Sequence, residues 1–160
     1  MALTGSGNYF EDFAVGEIVE HSRGLTVTNF DNYAVTHRSM NTAHSHFNLA
    51  RAKDVLGGLP ERIVAGPCTI SLVVGLTSQD MSENAFMDVS MTGIRLHTPV
   101  FAGDTLYGES EVLAKRESSS RPNAGIVTVR TAGSNQKGDV VCTFERSILI
   151  AKHGYDVEQK

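Results

Sequence analysis

Arg62-Ile63-Val64-Ala65-Gly66-Pro67-Cys68-Thr69-Ile70-Ser71-Leu72-Val73-Val74-Gly75-Leu76-Thr77 is the long apolar stretch of this chain. It outruns an ordinary strand, so it reads as a helix. The density of Ile, Val and Leu along it predicts burial over most of its circumference. Proline lacks the N–H that an interior helical position needs, and it is tolerated in the first turn. Pro67 therefore places the helix start near Gly66.

The chain on either side differs in character. Downstream, Phe86 to Leu96, Thr105 to Lys115, Ile126 to Ala132 and Val140 to Ile150 are strand-like runs. Turn-rich separators divide them: Phe101-Ala102-Gly103-Asp104, Ser118-Ser119-Ser120-Arg121-Pro122-Asn123 and Gln136-Lys137-Gly138-Asp139. Upstream, Ile18 to Val27 alternates loosely and is rich in β-branched residues, as a first strand would be. Thr28 then caps a short helix with Phe30, Tyr33 and Ala34 at helical spacing. A second helix is expected from Phe47 to about Leu56, where Gly57-Gly58 would stop it. One strand, helices, a long buried helix and four strands make an α+β order rather than a βαβα alternation. The expected architecture is a five-stranded antiparallel sheet wrapped around one apolar helix.

At 160 residues and 41% hydrophobic content, the chain is long enough for one domain with a real core. Residues 9–152 are read as that domain, with a flexible start over 1–8 and a tail over 153–160. A formal charge of −4 and a pI near 5.8 supply no basic field for nucleic acid. Cys68 and Cys142 lie in separate apolar segments with no CxxC spacing, so they read as buried thiols. Met1 to Gly7 has no basic start and no apolar run, and nothing approaches the length of a membrane span. A soluble cytoplasmic protein is expected.

The densest chemistry lies in Met40-Asn41-Thr42-Ala43-His44-Ser45-His46-Phe47-Asn48, between two helix-like segments. Imidazole titrates near neutrality, so a histidine here could take up and return a proton. Asn41 and His46 are five apart, too far to face each other on one straight helix, so they would meet across a turn. Asn48 suits two roles, holding the ring or capping the next helix, and Asn41 and Ser45 also suit turns. His44 and His46 alternate, but no Cys or carboxylate nearby completes a metal-ligand set.

Three segments together resemble a single hotdog domain of the MaoC-like acyl-CoA hydratases. They are Asn41 to Asn48, Arg62 to Leu72, and Pro99-Val100-Phe101-Ala102-Gly103-Asp104-Thr105-Leu106, and the resemblance spans Tyr9 to Lys152. Within that group the Asn-Thr-Ala-x-x-His-Phe-Asn run is most similar to the mesaconyl-CoA hydratases, also called β-methylmalyl-CoA dehydratases. The resemblance implies a hydro-lyase that adds water reversibly to a short, branched 2-enoyl-CoA, with coenzyme A as part of the substrate and no separate cofactor. His46 falls at the catalytic histidine. The general pattern has an aspartate five residues earlier, where this chain has Asn41. A neutral amide can orient a water but brings no charge to steady an imidazolium. The longer chains of that group fuse two hotdog units, so a homodimer is expected to supply the second.

For an enoyl thioester, the backbone N–H of Gly66 at the helix start could donate to the thioester oxygen. The alternative is that Gly66 only permits a close turn. Arg95 could bind the free carboxylate of a dicarboxylic acyl group through its planar fork, or could be a surface arginine paired with a neighbouring acid. His44 is placed facing solvent or beside substrate. Asp104 after Gly103 is read as turn chemistry. The competing functions are an (R)-specific enoyl-CoA hydratase acting on other acyl chains, a hotdog thioesterase, and a non-catalytic acyl-CoA binding protein.

Overall fold

The computed structural model describes residues 8–52, 54, 58 and 61–155. A short 3-10 turn, Phe10–Asp12, precedes β1 (Ile18–Glu20) and β2 (Leu25–Thr26). Three helical segments follow, α1 (Asn29–Arg38), α2 (His44–Phe47) and α3 (Leu49–Ala52), and then the long helix α4 (Gly66–Met81). The chain closes with β3 (Ala85–Leu96), β4 (Thr105–Glu117), β5 (Ala124–Ser134) and β6 (Val140–Ala151). The sheet is antiparallel in the order β1-β4-β5-β6-β3, with β2 also pairing β4. This is the expected hotdog arrangement, with six strands instead of five.

The extra strand arises because the run from Ile18 to Val27 is broken. His21 still pairs with β4 through its N–H to Gly108 O at 3.0 Å, but its ring turns inward and is buried. Arg23 then swings onto α4, donating to Gly75 O at 2.9 Å. Gly24 passes so close to the Tyr107 ring that a Cβ there would sit 2.6 Å from it.

Helix α4 begins where Pro67 predicts, and only a narrow strip of it is exposed. Cys68, Thr69, Val73, Leu76, Thr77, Asp80 and Met81 face inward, while Pro67, Ser71, Gly75 and Gln79 are exposed. This fits the expectation of burial over most of the circumference, with seven residues buried, five partly buried and four exposed. The apolar residues between, Ile70, Leu72 and Val74, are partly buried against the core. Each fully buried Val, Leu or Met on the inner stripe contributes about 1.5–3 kcal/mol. Two core clusters result, one around Val73, Leu76 and Phe144 and one around Phe13, Met81 and Ile148. Cys68 and Cys142 are free and buried as expected, and burial pushes both thiols up to about 11.

A polar line crosses this core. The Nδ1 of His21 lies 2.7 Å from Asp80 Oδ2, and its Nε2 lies 2.9 Å from Ser110 Oγ, which in turn meets Thr131 Oγ1 at 2.8 Å.

Helix α1 starts at the expected cap, where Thr28 and Asp31 bond reciprocally. Its inward face is polar. Asn32 and Thr36 are buried, whereas Phe30 is 76% exposed. The helix expected from Phe47 to about Leu56 is replaced by α2 and α3, with Asn48 extended between them. Asn48 ends α2 through its N–H to His44 O at 2.9 Å, and its Oδ1 accepts from Arg51 N at 3.2 Å to cap α3. Leu56 and Gly57 lie outside the described residues, as do residues 1–7 of the expected flexible start and 156–160 of the expected tail. Asp104 is a turn residue: Gly103 has φ +98°, and Asp104 Oδ2 accepts from Phe101 N at 2.9 Å. No helix among the described residues is long and apolar enough to cross a membrane.

Candidate active site

His46 and Gly66, twenty residues apart in sequence, line one cavity of about 300 Å³. Its walls are mainly apolar, with Ile63, Val64, Pro67, Leu96 and Val100 among them. A cavity of this size, with few polar groups, suits a small acyl chain.

The segment leading into α4 builds the site. Ile63 N donates to Ser45 O at 3.0 Å, and His46 Nδ1 lies 3.0 Å from Ile63 O. A carbonyl oxygen can only accept, so this bond puts a proton on Nδ1, and in the neutral ring the lone pair is then on Nε2. The ring is half-buried, held by a backbone carbonyl rather than by a carboxylate. Gly66 is the first residue of α4 and no side chain caps this helix. The N–H of a first helical residue has no partner within its helix, and the helix dipole favours negative charge at that end. A Cβ on Gly66 would collide with Leu96 Cδ1, so only glycine lets the two walls meet as they do.

A buried amide joins these parts. Asn32 Nδ2 donates to His46 O at 2.7 Å and to Ile63 O at 3.4 Å, and its Oδ1 accepts from Ala65 N at 3.0 Å. Sequence reasoning missed Asn32 because it marked only Phe30, Tyr33 and Ala34 in this helix. The usable signal was Asn32 and Thr36 four apart on the face opposite Phe30.

The remaining expected site residues lie elsewhere. Asn41 Oδ1 accepts from Ala43 N at 2.8 Å, and Asn41 lines a separate hollow with Thr36, His37, Met40 and Phe47. Met40, just before it, has φ +51°, the left-handed turn that takes the chain out of α1. Asn48 serves its two helix ends. His44 is exposed, 5.5 Å from the Phe47 ring between centroids and 3.5 Å from the Asn48 amide. Arg95 is exposed on β3 opposite Thr143 and is not among the residues lining the cavity. His97, beside it in sequence, does line the cavity, and its Nε2 lies 2.9 Å from Thr143 Oγ1. Among the described residues no group of three or more His, Cys, Asp or Glu could hold a metal ion.

Comparison with known proteins bears on the family and the fold. The sequence model of the family described as mesaconyl-CoA hydratase matches residues 2–157. A mesaconyl-CoA hydratase of Cereibacter sphaeroides is 34% identical over 93% of this chain and 43% of its own length. A β-methylmalyl-CoA dehydratase of Chloroflexus aurantiacus is 32% identical over 96% of this chain and 47% of its own length. The chain thus spans about half the length of the curated relatives it matches. Among solved structures, a MaoC domain protein of Chloroflexus aurantiacus superposes with a TM-score of 0.86 at 28% identity, covering 100% of this chain and 44% of that one.

Proposed function

The chain belongs to the mesaconyl-CoA hydratase family, and from that premise we propose that it adds water reversibly to a short, branched 2-enoyl-CoA of the mesaconyl-CoA type. The observation that carries this reading is the shared cavity of His46, whose neutral ring has its lone pair on Nε2, and the uncapped start of α4 at Gly66.

In the proposed reaction His46 Nε2 takes a proton from a water whose oxygen bonds the β-carbon of the enoyl thioester. The π-electron pair moves toward the thioester oxygen, where the Gly66 N–H and the α4 dipole stabilise the enolate. The imidazolium then returns its proton to the α-carbon, so H and OH of one water are both delivered. Dehydration runs the same steps backward. Asn41 contributes through the turn that presents α2, its Oδ1 being held by Ala43 N–H. His44 is exposed at the start of α2, and Asn48 joins α2 to α3. Arg95, off the cavity, meets a substrate carboxylate only if the acyl chain reaches past the β3 edge.

A second copy of the chain is the proposed source of the other hotdog unit. In support, β3 is an edge strand that leaves Met87, Val89, Ile94 and Leu96 about half exposed. Light scattering on the purified protein should give the mass of a dimer or a multiple of it.

The test of the function is loss of enoyl-thioester absorbance when the purified protein meets mesaconyl-CoA, and its absence in His46→Ala. Folded protein that binds CoA but turns over no branched or straight enoyl-CoA would sink the proposal. Release of free thiol instead would mark thioester hydrolysis.

A further inference from the structure

We infer that Asn32 is the positioning residue that sets His46 against Gly66. The inference rests on the reading of His46 as base and Gly66 as oxyanion donor. It adds a residue on neither of the two segments that carry them.

Asn32 has three polar bonds, and each ends on a part of the site. Its amide donates to the carbonyl of His46 itself and to that of Ile63, and its oxygen accepts from the N–H of Ala65, one residue before Gly66. The Ile63 carbonyl is the same atom that holds His46 Nδ1. One side chain therefore fixes the backbone of the base, the acceptor that sets its tautomer, and the approach to α4. It is 3% exposed, so solvent cannot replace these bonds. An unmet partner in that setting costs the desolvation of each group left bare. The grip on Asn32 is in turn secured by α1, whose Thr28–Asp31 cap fixes the helix start.

The arrangement also accounts for the lack of a carboxylate five residues before His46. A backbone carbonyl orients the ring here, and a carbonyl keeps its place only if its own segment is held. Holding it requires both donors and an acceptor on one short side chain. Asparagine supplies them, whereas aspartate can accept but cannot donate when ionised.

The test uses Asn32→Ala and the isosteric Asn32→Asp in the full chain, with two readouts. One is steady-state turnover of mesaconyl-CoA. The other is the pair of imidazole nitrogen-15 signals of His46, assigned by their loss in His46→Gln, which reports the tautomer without substrate. Both variants should lose about tenfold to a hundredfold in kcat, the scale expected for a displaced catalytic group. KM should stay within about twofold for the same reason, because the cavity walls remain. Both variants should also lose the fixed Nδ1–H pattern that the unsubstituted protein displays. Asn32→Asp conserves shape, so a residue that only fills space would leave both readouts unchanged. Normal kcat and an unchanged tautomer in Asn32→Asp would overturn the inference. So would failure of both variants to fold, since that would make Asn32 a structural residue. If the unsubstituted protein turns over no enoyl-CoA while the tautomer still follows Asn32, the catalytic reading fails and the geometric role of Asn32 stands.

Discussion

Gly66→Ala tests the narrowest point of the site. The added Cβ would overlap Leu96 Cδ1, while Leu96 Cδ2 and Cγ lie at an ordinary 3.6 Å. Leu96 must therefore retreat by roughly 1 Å to restore the usual 3.5–4.0 Å between carbons. In the single chain it can do so, being 57% exposed at the sheet edge, whereas a second copy seated on β3 would narrow that room. Gly66 has no positive φ, and alanine favours helical positions over glycine. Stability should therefore change by less than about 1 kcal/mol. Activity should respond much more strongly, because the methyl and the displaced Leu96 both occupy the cavity beside the Gly66 N–H. A shift of about 1 Å in reacting groups costs on the order of a hundredfold. Thermal melts and initial rates on mesaconyl-CoA, measured on the same preparations, separate the two effects. A second substitution, Leu96→Ala, should return much of the rate by clearing the overlap. Full activity in Gly66→Ala would refute the placement of the thioester oxygen at α4, and a double variant no better than the single would refute crowding by Leu96 as the cause.

His46→Gln should lower kcat by about 10²–10⁴-fold, the usual worth of a positioned acid–base group, with a melting point close to that of the unsubstituted protein; equal rates would remove His46 from the chemistry. Gly125→Ala contrasts with Gly66→Ala: its Cβ would overlap the Phe10 ring, which is 6% exposed and has nowhere to go. Urea denaturation should register a loss of about 1–3 kcal/mol, as for other overpacked cores, and no loss would mean that the Phe10 turn is free to move aside. Burial holds the His21 imidazole below its ordinary 6.5, outweighing the opposing pull of Asp80. The unfolded chain therefore binds the proton more readily than the folded one, so this contribution is complete above pH 6.5 and is lost as the pH falls from there toward the lowered folded value. His21→Asn should flatten that part of the stability curve, whose slope can reach about 1.4 kcal/mol per pH unit for one proton; an unchanged slope would assign the acid sensitivity to other groups.

The sheet was legible because each of its four long strands carries its own signal. Val140 to Ile150 and its three companions are β-branched runs set off by Gly, Asn and Pro turns, and the strands begin and end within a few residues of those marks. Helix α4 was legible through length and Pro67. Its apolar content matches its burial: of its residues only Pro67, Ser71, Gly75 and Gln79 are exposed, and the helix packs on β4, β6 and α1. The break between β1 and β2 left no apolar signature, since it depends on His21 finding Asp80, fifty-nine positions away in sequence.

For the site, sequence reading named His46 and Gly66, which the fold brings to one cavity, but not what holds them there. His46 and Gly66 could be named because the segments that carry them, Asn41 to Asn48 and Arg62 to Leu72, resemble those of the MaoC-like hydratases. The holder could not, because the inward face of α1 is polar. Asn32 and Thr36 are buried there while Phe30 looks outward, the reverse of the rule that apolar residues turn in. The rule fails because α1 packs over backbone that needs partners, the carbonyls of His46 and Ile63 and the N–H of Ala65, and an apolar face would leave these groups bare. The same logic revises the meaning of Asn41. As a substitute for a carboxylate it looks like a loss, but its Oδ1, expected to position a water, is held by Ala43 N–H, while the His46 ring already has an acceptor in Ile63 O. A carboxylate at position 41 would have to leave its own turn to reach that ring. Asn41→Asp should thus change the rate little, and a large gain in kcat would show that the turn opens during the reaction and that the amide limits it.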